Sequence, residues 1–372
     1  MPTLTSDVLA RTDWTERMRV HAERADALTA GRRHRAARGE THPVDDFLYT
    51  YYSYKPAALR RWHPGRDVRL ADAADSPHAG WRWYRSEAGT VAADADAFLT
   101  EKAPLVRAIR GILSSTLGRT GSYGCFGLHE WAMVYRDGET RHPVPLRLGA
   151  ERTDAVVEAH DLRCTHIDAF RFFTPDAAPR NRFAPTRDTQ ALAEQPGCLH
   201  AGMDLYKWAV KLGPLVPGEL LLDAFVLARD IRELDMRASP YDLSDWGYSP
   251  VPIETPAGKA EYVAGQRRFT ERSQPIRARL LALIDVAREN ENVKTLDPLS
   301  WEGHSRRSER MTPMSTNDTP TTPDLERLVG GEQDGLPPAP MGAPDDVDTI
   351  APEARFHAPR GGDLEVDDAS DT

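Results

Sequence analysis

Apolar positions recur at helical spacing most clearly between Gly197 and Leu243, GCLHAGMDLYKWAVKLGPLVPGELLLDAFVLARDIRELDMRASPYDL. Ala201, Leu205, Trp208 and Leu212 share one face of a helix expected from about Leu199 to Leu212. Gly213 and Pro214 end it, since Gly accepts a positive φ and Pro cannot continue the ladder. A second helix starts near Pro217, a residue suited to a first helical position. Its stripe is Leu220, Ala224, Leu227, Ala228, Ile231 and Leu234, and Pro240 ends it. Asp235 breaks that stripe, projecting at the angle of Ala228 and Ile231. A buried carboxylate is costly unless it is paired, hydrogen-bonded or metal-bound. Asp235 is therefore an ion-pair partner of an arginine, an exposed residue at a fraying end, or part of a site. His200, Asp204, Lys207 and Lys211 share the other face of the first helix. That set supplies an acid, a base or an amine nucleophile, or is simply a solvated polar face.

Helical patterns also cover Asp13–Gly39, with a thin seam of Trp14, Met18, Ala22 and Leu28, then Phe98–Leu117 and Gly258–Glu289 with a kink at Pro275. His42–Gly65 interleaves aromatics with Lys55, Arg60, Arg61 and His63, a mixture that stacks bases or builds an ordinary core. Ala71–Val91 reads as loop. Two stretches alternate at the period of a strand. In Tyr123–Arg136, His129, Trp131, Met133 and Tyr135 take one side, and Asp137-Gly138 signals a hairpin whose return strand carries His142, Pro143 and Pro145. In Leu162–Phe173, Cys164, His166, Asp168, Phe170 and Phe172 take one side, which points His166 and Asp168 inward. Such a His-x-Asp pair is a metal or acid/base element, or a buried histidine bonded to its neighbour. The Pro175–Gln195 loop, with Asn181, Arg187 and Gln190, is placed to act as a lid.

The pattern predicts an α+β fold: one predominantly helical domain over residues 1–300 with a small antiparallel sheet, then a tail over 301–372 rich in Pro, Ser, Thr and Asp. That tail cannot bury enough apolar surface to order itself. Charge supports the division. The net charge is −10, but residues from 302 onward hold 16 acidic and 6 basic groups, leaving 41 of each before them. A neutral fold neither demands nor excludes nucleic acid. Cys125, Cys164 and Cys198 have no paired spacing, so reduced, partly buried thiols are expected. No apolar leader or long apolar run is visible, which implies a cytoplasmic protein without a membrane partner. Phosphate-loop, GxGxxG, HExxH and GxSxG motifs are absent.

The segments HPVDDFLYTYYSYKPAALRRWHPG, GLHEWAMVYR, LRCTHIDAFRFF, PGCLHAGMDLYKWA and LARDIRELDMRASPYDL resemble a bacterial family, frequent in actinobacteria, whose members carry the label 3-methyladenine DNA glycosylase. The resemblance covers most of residues 1–285. The chain lacks the LPGVG-type hairpin and the Cys/His zinc pattern of the well-known adenine-methyl glycosylases, so no catalytic residue carries over from them. The resemblance implies a cofactor-free hydrolase in DNA repair, cutting the N-glycosidic bond of an alkylated adenine in double-stranded DNA. That chemistry extrudes the base, stacks it on aromatic faces and stabilises positive charge on the sugar. The candidates are Asp168, Asp235, Asp204 and His166 for catalysis. Trp131, Tyr135, Arg171, Tyr206, Trp208 and Arg237 would bind substrate, and Arg60, Arg61, Lys207 and Lys211 the phosphates. Two other readings remain open. In one, His129, His166, Asp168 and His200 hold a divalent transition metal that acts on a small molecule. In the other, the chain is a non-catalytic scaffold whose buried polar groups specify packing.

Overall fold

The computed structural model describes residues 7–137 and 144–294, with backbone alone from 286. It is an α+β domain, helical for the most part. Strand β1 (Asp7–Leu9) leads into α1 (Arg11–Ala37), which buries Trp14, His21, Ala25 and Thr29. Two short helices follow, α2 (Phe47–Tyr51) and α3 (Pro56–Leu59). Strands β2 (Val68–Ala71), β3 (Tyr84–Glu87) and β4 (Thr90–Ala93) complete a sheet of order β1-β2-β4-β3.

The sheet corrects two expectations. It is mixed, because β1 pairs parallel with β2 while the other pairings are antiparallel. It also forms where the sequence reads as loop. Ala88 and Gly89 both take positive φ (48° and 78°), which makes the two-residue turn that matches strand twist in the β3–β4 hairpin.

The remaining helices are α4 (Ala95–Glu101), α5 (Ala103–Leu117), α6 (Leu128–Ala132), α7 (Gly149–Glu158), α8 (Ile167–Phe170), α9 (Gln190–Ala193), α10 (Leu199–Lys211), α11 (Gly218–Arg237) and α12 (Pro256–Lys294). The expected pair is present as α10 and α11. Leu212 caps α10, Gly213 takes φ 51°, and Pro214 lies in a tight turn. Pro217 is the extended N-cap of α11 rather than its first helical residue. These two helices and α12 pack on one another. Helix α10 is buried all round from Leu199 to Ala209, as a central helix must be. Its polar face is therefore not solvated. Close approach is possible because Gly202 faces Ile231: a Cβ there would stand 3.0 Å from the Ile231 Cδ1.

Neither expected strand forms around the site. Leu128–Tyr135 is buried on every side, so its alternation carries no face information. A left-handed Phe126-Gly127 corner (φ 48° and 72°) turns it into the single turn of α6. In the second stretch, Leu162 bridges Asn181, and the Asn181 side chain takes both Cys164 backbone groups, accepting from its N–H at 2.8 Å and donating to its carbonyl at 2.9 Å. A side chain thus replaces a neighbouring strand, and the chain turns into α8. The Asp137-Gly138 hairpin and the residue-300 boundary with its acidic tail fall on or beyond residues outside the described ones. Among the described residues, no helix is long and apolar enough to cross a membrane.

Candidate functional site

Three elements bring three histidines into a row. His129 rides on α6, His200 opens α10, and His166 is the N-cap of α8. The His200 ring meets His129 at a centroid distance of 4.5 Å and His166 at 5.3 Å. Each outer histidine faces carboxylates. His129 Nε2 stands 3.0 Å from the Asp235 Oδ1 on α11. His166 Nε2 stands 3.2 Å from Glu194 Oε1, just past α9, and 3.2 Å from Asp204 Oδ2, one turn along α10 from His200. Two residue sets hold ligand atoms within 4.8 Å of one another: His129, His200 and Asp235, and His166, Glu194 and Asp204. All six side chains are buried.

Of the first set, His129 and His200 line a cavity of about 20 Å³ together with Cys125, Cys164, Cys198 and Arg163, while Asp235 does not reach it. That is room for about one water or ion. His200 has no hydrogen-bond partner among the described residues, and only ring contacts hold it. Burial, with the cationic neighbours His129 and His166, pushes it down to about 3, so it is neutral at pH 7. Burial alone would lower His129 too, but the Asp235 carboxylate outweighs burial and holds it above the ordinary value. Asp235 is kept low against burial by His129. Behind it, Arg232 donates to Glu130 at 3.0 Å and approaches the Asp235 Oδ2 at 3.7 Å.

The angles matter more than the distances. His129 Nε2 makes an acceptable hydrogen bond to Asp235 Oδ2 at 3.2 Å, yet the nearer Oδ1 has none. His166 has no hydrogen bond at either ring nitrogen, despite the oxygen on each side of Nε2. These buried polar atoms approach closely without full hydrogen-bond geometry. Two ligand atoms about 2.1 Å from one ion stand about 3.0–3.4 Å apart at octahedral to tetrahedral angles. The observed 3.0 and 3.2 Å fall in that window.

Beside the second set lies an ion network. Lys207 donates to Asp204 at 2.5 Å and to Asp168 at 3.1 Å, and Arg187 holds Asp168 through both nitrogens at 2.5 and 3.1 Å. The Arg171 Nε stands 3.5 Å from the same carboxylate. Burial would raise Asp168, but Lys207 and Arg187 hold it well below the usual carboxylate range. The Lys207 amine stays charged, because Asp204 and Asp168 outweigh its burial.

Of the sequence-derived candidates, the structure brings together His129, His166, Asp168, His200, Asp204, Lys207 and Asp235. Asp168 is a network anion rather than a member of either ligand set. His166 and Asp168 lie at the start of a helix, not on one face of a strand. The Lys207 amine is buried between carboxylates and cannot serve a phosphate. Lys211 is half-buried, and burial lowers its amine. Trp131, Tyr206 and Trp208 are core residues, with the Trp131 indole donating to the Ala238 carbonyl. Tyr135 donates to Glu158, and Arg237 donates to the Ser249 carbonyl. Arg60 pairs with Asp26, and Arg61 lies over Trp81.

Several site residues escape sequence reasoning. Glu194 sits in a Pro-flanked loop with no period to assign it a face. Glu130 alternates with His129, so a strand reading sends it to the opposite side. Arg232 was legible in principle, standing one turn before Asp235 on the same helix. The three cysteines each precede a site histidine by a few residues, which foreshadows their shared cavity. No family model matches the chain, and neither a curated protein nor a solved structure matches it.

Proposed function

We propose that the chain is a metal-dependent enzyme, with a divalent transition metal held by His129, His200 and Asp235. Two imidazoles and one carboxylate with open positions is a recurrent ligand set for catalytic iron, and zinc accepts the same donors. The observation that carries this reading is His200: a buried, neutral imidazole with no protein partner, lining a cavity beside a His129–Asp235 pair. A bound metal would act as a Lewis acid on a water or substrate oxygen at the cavity. The chain's own groups do the rest. Arg232 and Glu130 brace the Asp235 side of the site, and Cys125, Cys164 and Cys198 give the cavity a soft, poorly hydrated wall. Burial raises all three thiols, Cys164 to about 12, so they stay protonated and line the cavity rather than attack. The small cavity admits the reacting group of a small molecule.

Elemental analysis of the purified full chain tests this. Bound zinc, iron, manganese or cobalt that is lost in Asp235→Asn, with the fold retained, is the expected result. The competing reading, a DNA N-glycosylase, rests on the family resemblance. Release of free 3-methyladenine from alkylated DNA, undiminished by a chelator, would establish it in place of the metal enzyme.

A further inference from the structure

We infer that His166, Glu194 and Asp204 form a second divalent-cation site, so that one molecule binds two ions on either side of His200. This deepens the metal reading above but stands on different residues. His166 is fully buried, and its Nε2 has a carboxylate oxygen 3.2 Å away on each side. Neither approach has hydrogen-bond geometry, and Nδ1 is unpartnered as well. Pairing with the two acids therefore leaves the ring unsatisfied, a state that costs about 1–3 kcal/mol per buried polar group. His166 is cationic between the two acids, so a metal ion binds here by displacing its proton, which frees the Nε2 lone pair to join the two carboxylate oxygens as a ligand.

The carboxylates are already oriented for this. Tyr52 donates to Asp204 Oδ1 at 3.0 Å, which turns Oδ2 toward His166. The Gln190 side-chain amide donates to Glu194 Oε1 at 2.5 Å, and Arg187 in turn donates to the Gln190 Oε1 at 3.2 Å. Outer hydrogen bonds of this kind fix ligating carboxylates in metal sites. Lys207 shares Asp204 Oδ2 and also bonds Asp168, so it brings Asp204 its own counter-charge. The ammonium on Asp204 Oδ2 competes with a metal ion for that oxygen; the donor set itself, one imidazole and two carboxylates, is harder than His129, His200 and Asp235 and suited to manganese or iron.

The test is the metal stoichiometry of the full chain, stripped with chelator, reloaded with Mn²⁺ and desalted. Two equivalents are expected in the wild type, one in Glu194→Gln and one in Asp235→Asn. One equivalent that is lost in Asp235→Asn and kept in Glu194→Gln overturns the second site and leaves the first standing. The reverse pattern supports the second site and overturns the first. No bound Mn²⁺ in the wild type overturns both. Should Glu194→Gln fail to fold, anomalous scattering from wild-type crystals grown with Mn²⁺ decides the matter. A peak between His166 and the two carboxylates supports the site, and its absence overturns it.

Discussion

The imidazoles of His129 and His200 meet edge to face, at a centroid distance of 4.5 Å and an interplanar angle of 78°. Asp235 raises the proton affinity of one against its burial, and burial with the neighbours His129 and His166 lowers that of the other to about 3. Two like-charged rings would repel at this distance, so the pair is stable with a single proton. On the proposed metal reading, an ion takes the place of that proton.

Metal affinity should therefore depend on pH. Below the raised titration point of His129, a proton competes for the same nitrogen. The apparent Kd for Zn²⁺ should tighten about tenfold for each pH unit of increase there and level off above it. Calorimetric titrations between pH 6 and 9 measure this, and a flat profile would exclude His129 as a ligand.

His200 and Lys207 lie on one helix but should respond oppositely to substitution. His200 has no hydrogen bond to lose, so His200→Leu should shift stability by no more than about 1 kcal/mol while removing bound metal. Lys207→Met strips a buried ion network of its central cation and should cost about 3–5 kcal/mol. Urea unfolding of both variants gives the comparison.

Trp208 separates a core role from a stacking role. It is buried against the helix core, so Trp208→Ala should destabilise the fold by about 3–5 kcal/mol. A variant that keeps wild-type stability and loses affinity for alkylated DNA would instead make Trp208 a base-stacking surface.

The sheet side of the molecule should be acid-sensitive. Burial, then the neighbours His78, His21 and Arg61, hold His63 at about 3 in the folded chain. Burial also lowers His78 and His21. The unfolded chain binds a proton at each near pH 6.5, while the folded chain resists doing so, most strongly at His63. Their contribution is complete above that pH and declines below it, by about 1.4 kcal/mol per pH unit for His63, with His78 and His21 adding in the same direction. The urea midpoint should fall between pH 7 and 5, before most carboxylates titrate.

Gly218 should not tolerate a side chain. A Cβ there would lie 2.6 Å from the Trp62 Cδ1 and 2.8 Å from the His21 Nδ1, both in a packed core. Gly218→Ala should cost about 1–3 kcal/mol by overpacking. Gly202→Ala meets only the rotatable end of Ile231 at 3.0 Å, so its effect should be smaller. Thermal melts rank the two.

The sequence by itself determined the helices α10 and α11, because a long apolar stripe and its Gly and Pro stops are local properties. It also marked Asp235 as anomalous, since an acid inside such a stripe must find a partner, and the partners are His129 and Arg232. The tertiary structure alone decided that the His200, Asp204 and Lys207 face is interior. Periodicity shows that two faces differ in polarity but not what covers the polar one, and here α6, α8 and the segment around Glu194 cover it. It likewise decided between strand and helix at residues 123–136 and 162–173. A segment buried on all sides leaves no solvent face to read, and an asparagine can occupy the backbone groups that a neighbouring strand would. Glu194 joined the site through contacts between segments far apart in the chain, and no local pattern encodes such contacts.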